Sequence, residues 1–399
     1  MTYGREGVYL DHAATTPTDP AVVESMLPWF TERFGNPSSI YQIGQEARAA
    51  IDNARRQIAG VLRCVPSEVL FTSGATESNN LAIRASIGAW RQKHGWDRKP
   101  HVVISAIEHH AVLDVVLQLR DEGLAVDIVP CDSIGRVDPA AVEAAVKPET
   151  CLISVMLVNN EIGTVQPVPE IAAVARERGI VVHTDAVQAA GLRPIAAQHI
   201  GVDMLSLSAH KFYGPKGVGV LFVRKGTPMR FQQRGGSQEA GRRGGTENVP
   251  LIVGMGEALQ RADAISDQYA THCRVLRDRL WKQLQERVPG ILRNGTDDPE
   301  SAQPNILNVV LPGVQGETML LNLDLLGVSA SAGSACTTGN PEPSHVVRAI
   351  GRNDEECRAS LRFSVGRGNS LSEMDEAARV VAESVERVRA LSGTVSSAG

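Results

Sequence analysis

The sequence predicts an α/β fold, with helices on both faces of a mostly parallel β-sheet. Between residues 69 and 223, short apolar segments of strand length alternate with longer segments of helical periodicity. This alternation is typical of doubly wound sheets, in which crossover helices join the strands. Clusters of polar residues directly follow five of the predicted strands. Because ligands bind at the carboxyl ends of the strands in such sheets, these clusters predict a functional site at that edge.

The periodicity of the apolar residues gives the order of the elements. We expect strands over residues 8–10, 69–71, 102–104, 125–129, 152–158, 180–183, 204–207 and 220–223. We expect helices over residues 19–30, 45–62, 109–120, 139–146, 168–178 and, with one break, 250–286. Shorter elements follow and predict a smaller α+β domain. The expected division is an N-terminal arm packed with the small domain, a large domain, the small domain and a disordered tail, over residues 1–16, 17–262, 263–390 and 391–399.

The composition limits the classes of function. Of the 399 residues, 43% are hydrophobic and 21% charged, as in ordinary globular proteins. The formal net charge is −5 without a long basic run, so direct binding to nucleic acid is not expected. No apolar stretch approaches the length of a membrane span, and the N-terminus lacks the pattern of a secretion signal. Six scattered cysteines without paired spacing predict reduced thiols, a cytoplasmic location and no resident metal site.

Lys211 lies in the stretch around which the chain is organised, residues 202–223. An apolar strand ends at Ser208, Lys211 follows, and a glycine-rich turn leads to a second apolar segment. Loss of hydration lowers the pKa of a lysine, and the neutral amine attacks carbonyl groups. A lysine that reaches from a loop into solvent is the alternative, and for Lys211 taken alone it is favoured.

Two further clusters suit a phosphate and a ring nitrogen. Ser73 to Glu77 (SGATE) form a predicted strand-to-helix turn. The free backbone N–H groups and the hydroxyls of such a turn suit a phosphate. Asp185 follows a buried strand and needs a cation or a donor, and Gln188, at the start of a predicted helix, can reach the same ligand. Each cluster has a structural alternative, because serine, threonine and aspartate also cap helices.

Four other residues have possible binding or catalytic roles. The amide of Asn160 suits a phenolic oxygen, and the imidazole of His109 can stack on an aromatic ring and move protons near neutral pH. Arg362 can grip a carboxylate with two hydrogen bonds, and Thr246 offers a hydroxyl in a glycine-rich segment. A turn asparagine, a satisfied histidine and a surface ion pair are the alternatives for the first three.

Cys336 lies in the segment SASAGSACTTGNPEPS, which is rich in small residues, glycine and proline. This composition predicts an exposed, flexible loop, whereas the other cysteines are expected in the core. An exposed thiol that is kept reduced is reactive, so we predict that Cys336 has a functional role. Together, a phosphate cup, a carboxylate for a ring nitrogen, a stacking histidine, an amide for a ring oxygen and a lysine at a strand end describe a pyridoxal 5'-phosphate site.

The motifs that carry these residues resemble those of a known family. The match extends over nearly the whole chain, in YLDHAATTP, FGNPSS, FTSGATESNN, EHHAV, VNNEIGTVQP, HTDAVQ, SAHKFYGPKGVG, RRGGTENV, SAGSACTTG and LRFSVGR. The chain resembles the cysteine desulfurases of the NifS/IscS group, within the class-V aminotransferase family of fold-type I pyridoxal-phosphate enzymes. SAHKFYGPKG and SAGSAC are the most specific of these motifs.

The resemblance implies a role for each site residue. Lys211 would hold the cofactor covalently and shuttle the Cα proton, His109 would stack on the ring and act as acid or base, and Cys336 would accept the sulfur of L-cysteine as a persulfide, which leaves L-alanine. Arg362 and Asn160 would bind the substrate. The cofactor would be bound by Ala75, Thr76, Asn160, Asp185, Gln188, Ser208, His210, Lys211 and, from the other subunit of a homodimer, Thr246.

The resemblance also implies partners and leaves alternatives. The sulfur would go to an acceptor protein, an iron–sulfur scaffold or another sulfurtransferase, for iron–sulfur cluster assembly or tRNA thiolation. Cys336 could transiently ligate an iron–sulfur cluster with a scaffold. A selenocysteine lyase is a close variant, and a class-V aminotransferase would use Lys211 without needing Cys336. A non-catalytic scaffold subunit would be expected to lack Lys211 or Asp185, and this chain has both.

Overall fold

The structure is a computed structural model that describes residues 7–332 and 343–391. Residues 392–399 of the predicted disordered tail and residues 333–342 around Cys336 lie outside the described residues. The strands are β1 (Val8–Tyr9), β2 (Val69–Thr72), β3 (His101–Ser105), β4 (Ala125–Val129), β5 (Thr150–Ser154), β6 (Val181–Asp185), β7 (Met204–Ser208), β8 (Gly219–Val223), β9 (Leu292–Asn294), β10 (Ile306–Val310), β11 (Val328–Ser329) and β12 (Ser360–Ser364). The helices are α1 (Pro20–Met26), α2 (Pro28–Thr31), α3 (Gln42–Leu62), α4 (Ala75–His94), α5 (His110–Asp121), α6 (Pro139–Ala145), α7 (Val168–Glu177), α8 (Ala197–Ile200), α9 (Val249–Ala264), α10 (Ser266–Arg287), α11 (Gly316–Leu325), α12 (His345–Ala349), α13 (Asp354–Arg358) and α14 (Leu371–Leu391).

A seven-stranded, mostly parallel sheet lies at the centre, as the alternation of elements predicted. Its strand order is β2-β8-β7-β6-β5-β3-β4. The adjacent pairs from β7 to β4 are parallel, and β8 is antiparallel to both of its neighbours. The carboxyl ends of β2, β3, β5, β6 and β7 therefore meet at one edge, which brings the polar clusters that follow these strands close together.

Successive side chains of the strands pack against helices on opposite faces of the sheet, as the two-residue period of a strand requires. Val103 belongs to a core that includes apolar side chains of α3, α7 and α9. Its neighbours Val102 and Ile104 belong to a second core, built with side chains of α4 and α5. Each buried valine, leucine or isoleucine side chain contributes about 1.5 to 3 kcal/mol, so both helical layers are held to the sheet mainly by apolar burial.

A second unit of structure follows α9, from which a break at Ile265 separates α10. Its sheet has the order β12-β10-β9, all antiparallel, and its core contains side chains of α10, α11 and α14. The N-terminal strand β1 pairs in parallel with β11, and Val8 and Leu10 are buried in this second core. The division of the chain into domains stays a prediction. Within the described ranges, no helix has the length and apolar composition needed to cross a membrane.

Two elements differ from the sequence prediction for local reasons. The helix expected over residues 19–30 is divided into α1 and α2, because Pro28 cannot donate the hydrogen bond that would continue it. The strand expected over residues 152–158 ends at Ser154. Beyond that point the backbone N–H of Met156 donates to the carboxylate of Glu108, at 2.9 Å, instead of to a neighbouring strand.

Candidate active site

A cavity of about 560 Å³ lies at the carboxyl ends of the parallel strands. Ten of the twelve predicted site residues line it: Ala75, Thr76, His109, Asn160, Asp185, Gln188, Ser208, His210, Lys211 and Arg362. Of the other two, Thr246 is exposed and does not contribute to the lining, and Cys336 lies outside the described residues. In the described part of the chain, no group of three or more His, Cys, Asp or Glu side chains could hold a metal ion.

One end of the cavity is the N-terminus of α4. The preceding turn depends on Gly74, whose φ of 155° and ψ of 174° suit only glycine. The turn lies so close to β8 that a Cβ on Gly219 would be 2.6 Å from the backbone of Gly74. No side chain caps the helix, so the N–H groups of its first turn remain available to a ligand. Anions bind at such helix ends.

Glu77 holds the shape of this turn. Its Oε2 accepts hydrogen bonds from the backbone N–H of Ser73 at 2.7 Å and from the Ser73 hydroxyl at 2.6 Å. Its Oε1 accepts a hydrogen bond of 2.9 Å from Nε of Arg243. Although burial opposes ionisation, the hydrogen bonds from Arg243 and Ser73 lower the pKa of Glu77. Sequence reasoning included Glu77 in the turn and did not identify Arg243 as its partner.

Asp185 is the last residue of β6, and its carboxylate is buried at the floor of the cavity. Oδ2 accepts a hydrogen bond of 2.7 Å from the amide of Asn79, and Oδ1 accepts one of 3.0 Å from the backbone N–H of Val187. Two residues earlier, the ring of His183 bridges the hydroxyls of Ser154 and Ser206, at 2.8 and 2.9 Å, and so joins three adjacent strands. Burial lowers the pKa of His183 to about 4, which keeps the ring neutral.

Sequence reasoning missed Asn79, although its position gives a signal. Asn79 lies one turn beyond Ala75 on α4, and is fully buried. A buried amide near the start of a helix that is expected to bind phosphate must have a polar partner, because burying it alone is unfavourable. That requirement points to the cavity, and Asp185 satisfies it.

Lys211 is held by the N-terminal segment of the chain. Its Nζ donates to the carbonyl oxygens of Ala13 and Ala14, at 2.5 and 2.7 Å. Next to it, Nδ1 of His210 lies 3.1 Å from the hydroxyl of Thr15, and burial lowers the pKa of His210 to about 4. This segment belongs to the arm of residues 1–16 that was predicted to pack with the small domain, and its contact with Lys211 was not predicted. The signal was the polar turn DHAATTP directly after β1.

His109 is the N-cap of α5, and its Nδ1 accepts a hydrogen bond of 3.0 Å from the backbone N–H of Ala111. Because Nδ1 is an acceptor, the proton of the neutral ring is on Nε2. Burial lowers the pKa of His109, while the nearby carboxylate of Asp185 raises it to a smaller extent. A neutral imidazole with a fixed tautomer therefore borders the cavity.

Arg362 lies on β12 of the second sheet and is only 3% exposed. Its Nη1 donates to the carbonyl of Asn160 and its Nη2 to Oδ1 of Asp11, both at 2.8 Å. Burial raises the pKa of Asp11 more than Arg362 lowers it. Among the described residues, neither Nε of Arg362 nor the side-chain oxygen of Asn160 has a hydrogen-bond partner. These two buried polar atoms on the cavity lining are available to a ligand.

Gln188 lines the cavity from a turn, whereas the sequence predicted the start of a helix. Gly191, with a φ of 77°, ends the turn before a helix can form. The Gln188 amide donates to the carbonyl of Ala13 at 3.0 Å, so it joins the segment that holds Lys211.

Known proteins share this architecture. The family described as aminotransferase class-V matches residues 8–376. The chain is 45% identical over 387 residues to a cysteine desulfurase IscS from Methanosarcina thermophila, which covers 97% of this chain and 94% of that relative. A solved NifS-like protein has a TM-score of 0.88 at 36% identity and covers 96% of this chain and 100% of its own. A structure of SspA in complex with cysteine has a TM-score of 0.76 at 35% identity and covers 90% of this chain and 99% of its own. The resemblance seen in the motifs is confirmed, and the chain belongs to the class-V aminotransferase family, in the NifS/IscS cysteine desulfurase group.

Proposed function

We propose that this protein is a pyridoxal-phosphate-dependent cysteine desulfurase, which converts L-cysteine to L-alanine and transfers the sulfur to Cys336 as a persulfide. The main support is the convergence of Lys211, Asp185, Arg362 and the N-terminus of α4 on one cavity. The relatives named as cysteine desulfurases support the choice of substrate, because they match almost the whole chain. The sulfur would then pass to an acceptor protein, an iron–sulfur scaffold or another sulfurtransferase.

The residues of the cavity fit pyridoxal phosphate. A Cβ on Gly74 would project towards the Ser208 hydroxyl, 4.0 Å away, so glycine leaves a cradle open beside the uncapped end of α4. That cradle suits the phosphate, which would be held by Ala75, Thr76, Ser208, His210 and, from a second subunit, Thr246. The unpartnered amide oxygen of Asn160 marks a second polar contact. Asp185 would pair with the ring nitrogen, Gln188 and Asn160 would lie at the ring oxygen, and Lys211 would bond to the aldehyde carbon.

Bound pyridoxal phosphate would supply an electron-withdrawing ring that acidifies the Cα–H bond of an attached amino acid. Asp185 would favour the protonated ring nitrogen, since its carboxylate is buried and held by Asn79. Nζ of Lys211 would take the Cα proton. His109 would lie over the ring and, with its proton on Nε2, could donate or accept a proton at the substrate.

The substrate would be oriented by Arg362 and attacked by Cys336. Nε of Arg362 is buried without a partner in the described part of the chain, while its two other nitrogens are fixed by Asn160 and Asp11. A carboxylate would pair with this preorganised guanidinium. The thiolate of Cys336 would attack the substrate sulfur, and the Cβ–S bond would break with its electron pair left on carbon. Protonation of that carbon and return of the proton from Lys211 to Cα would complete alanine.

The test measures alanine and protein persulfide formed from L-cysteine, with the visible absorbance of the bound cofactor recorded on each protein. Cys336→Ala should keep the cofactor and form almost no alanine, whereas the control Cys64→Ala, at a half-buried thiol, should behave like the parent. If Cys336→Ala forms alanine at the parent's rate, Cys336 is not the sulfur acceptor. A class-V aminotransferase would instead form a keto acid, and a selenocysteine lyase would prefer selenocysteine.

We also propose that the active enzyme is a homodimer. Thr246 is exposed and does not line the cavity that its own chain forms, so its predicted contact with phosphate requires a second copy. Large apolar side chains are exposed in α2 and in the segment between α2 and α3, with Phe30, Phe34 and Ile40 at 54%, 69% and 89%. Light scattering should give the mass of a dimer, and a monomer with full activity would contradict the proposal.

A further inference from the structure

Two loops that carry cavity residues also contact α12, which follows the segment SASAGSACTTGNPEPS around Cys336, here called the cysteine segment. Asn160 is followed directly by Glu161, and His109 is preceded directly by Glu108. Ser344 and His345 begin α12. Ser344 comes eight residues after Cys336 (344 − 336).

The first contact joins Glu161 to Ser344. The side chain of Glu161 is 3% exposed, and its Oε2 accepts a hydrogen bond of 2.5 Å from the Ser344 hydroxyl. The same hydroxyl accepts a hydrogen bond of 3.1 Å from the backbone N–H of Val347, and so caps α12. The backbone of Glu161 is itself fixed, because its carbonyl accepts from the amide of Asn308 and its N–H donates to Asn159. The helix start is therefore tied to a rigid part of the cavity wall.

The second contact joins His345 to the loop that carries His109. Nε2 of His345 donates to the backbone carbonyl of Glu108 at 2.9 Å. The His345 ring also lies edge-on to the ring of His110, with centroids 5.0 Å apart. The hydrogen-bond partners of Ser344 and His345 are therefore Glu161 and Glu108, and each lies next to a predicted site residue in the sequence.

A small apolar core completes the attachment. Val346 and Ile350 pack with Ile107, Met156 and Ile162, in a cluster separate from the three larger cores. Ile107 precedes Glu108, and Ile162 follows Glu161, so the apolar and polar contacts alternate along the same two loops.

The hydrogen bond between Glu161 and Ser344 adds to the apolar contacts that already attach α12. A buried carboxyl is unfavourable unless its hydrogen bonds are satisfied. Burial raises the pKa of Glu161 to about 7, and the bond from Ser344 opposes this increase. The reaction proposed above gives Glu161 no role, although it lies next to a residue of the cavity.

From these contacts we infer that Glu161 is a positioning residue for sulfur transfer: through Ser344 it fixes the C-terminal attachment of the cysteine segment to the cavity wall. The inference rests on the proposed function. Since Ser344 comes only eight residues after Cys336, fixing Ser344 limits how far the thiol can lie from the cavity wall and so raises its effective concentration at the substrate. Glu161 should therefore affect the transfer of sulfur more than the binding of L-cysteine.

The experiment compares Glu161→Ala, Glu161→Gln and Ser344→Ala in the cofactor-loaded enzyme. Asn353→Ala is the matched control, because the Asn353 side chain caps the adjacent α13 by accepting a hydrogen bond from a backbone N–H, as Ser344 does for α12. One readout is the rate at which Cys336 gains a persulfide in a single turnover, by mass spectrometry. The other is half-saturation with L-cysteine, from the change in absorbance of the cofactor.

Glu161→Ala and Ser344→Ala should slow persulfide formation by about tenfold or more, with half-saturation changed by less than about twofold, because small displacements of a reacting group have large effects on rate. Glu161→Gln should remain near the parent, since an amide oxygen still accepts the bond from Ser344. Asn353→Ala should also remain near the parent.

Three results would overturn the inference. The first is persulfide formation at the parent's rate in both Glu161→Ala and Ser344→Ala. The second is a rise in the L-cysteine concentration needed for half-saturation that is as large as the fall in the rate of persulfide formation, because this would indicate a general effect on the cavity. If Glu161→Ala does not fold, Ser344→Ala decides, and an effect no larger than that of Asn353→Ala would reduce the contact to a helix cap. A parent that forms no persulfide would instead reject the proposed function, and this inference with it.

Discussion

The sheet side of the cavity and the loop of residues 233–247 are built in different ways. On the sheet side, Asp185, Ser208 and Lys211 lie at or just beyond the ends of adjacent parallel strands, where strand register sets their positions. The loop of residues 233–247 contains Thr246, lies outside the cavity lining and contributes no regular strand. The sheet side is fixed by cooperative backbone pairing, whereas the loop depends on a few ion pairs. A substitution of a cavity residue on the sheet side should therefore lower the reaction rate, whereas a substitution that disturbs the loop should change the free energy of unfolding.

The loop is tied to the sheet by a buried ion pair. Arg55 donates from Nη2 to Oε1 of Glu239 at 2.6 Å and from Nη1 to Oε2 at 2.8 Å. Oε2 of Glu239 also accepts from the backbone N–H of Phe71 in β2, at 3.1 Å. A second ion pair, between Arg243 and Glu77, links the loop to the turn at the start of α4. The backbone of Glu239 and Ala240 is left-handed, with φ of 48° and 57°.

The largest expected effect lies on the sheet side. Lys211→Ala should abolish the visible absorbance of the bound cofactor and lower the rate of alanine formation by at least about a thousandfold, as expected for the loss of a covalent group. Lys216→Ala is the matched control, because Lys216 is a second lysine on the cavity lining and is exposed. Its absorbance and rate should stay near those of the parent. Equal losses in the two variants would show that the cavity needs positive charge and not the Lys211 amine.

The next effect tests the loop. Arg55→Met leaves the carboxylate of Glu239 buried without its partner, so the free energy of unfolding should fall by about 3 to 5 kcal/mol. Arg56→Met, at an exposed position of the same helix, should change it by less than about 0.5 kcal/mol. Urea denaturation of both variants measures the difference. A small loss in Arg55→Met would show that the ion pair does not hold the loop.

The free energy of unfolding should also depend on pH through Glu108, a buried residue that follows β3 on the sheet side. Glu108 is fully buried, and burial raises its pKa from 4.5 to about 8, although hydrogen bonds from Ser105 and Met156 oppose this. The folded protein therefore keeps this proton where the unfolded chain loses it. The resulting stabilisation is full below the unfolded pKa of 4.5 and is lost as the pH rises through the folded value of about 8.

Glu108→Gln removes this titration. Between about pH 5 and about pH 8, the parent should lose roughly 2 to 4 kcal/mol more of its free energy of unfolding than the variant. Glu177→Gln, at an exposed glutamate of α7, should keep the pH dependence of the parent. Urea denaturation at both pH values provides the comparison. Parallel pH profiles for parent and Glu108→Gln would mean that Glu108 is ionised in the folded protein.

The contrast between the sheet side and the loop also explains which features could be predicted from the sequence. The alternation of apolar segments predicted the sheet. The polar clusters after its strands contain nine of the ten predicted cavity residues, because strand order brings strand ends together, whereas Arg362 comes from the second sheet. Asn79 and the carbonyl groups of Ala13 and Ala14 were missed, since they act through long-range contacts with Asp185 and Lys211. The left-handed backbone at Ala240 was equally hidden, because alanine gives no signal for that conformation.

Ala240 provides the smallest and most local test of the loop. An alanine in the left-handed region is strained by about 1 to 2 kcal/mol, and glycine removes that strain at an entropic cost of roughly 0.5 to 1 kcal/mol. Ala240 is exposed, so little packing is lost, and Ala240→Gly should raise the free energy of unfolding by about 0.5 kcal/mol. Ala173→Gly, at an exposed position inside α7, should lower it by about 0.5 to 1 kcal/mol. Opposite signs in urea denaturation would place the strain in the loop backbone, whereas a loss in both variants would mean that Ala240 is not strained and that the loop is held by its ion pairs alone.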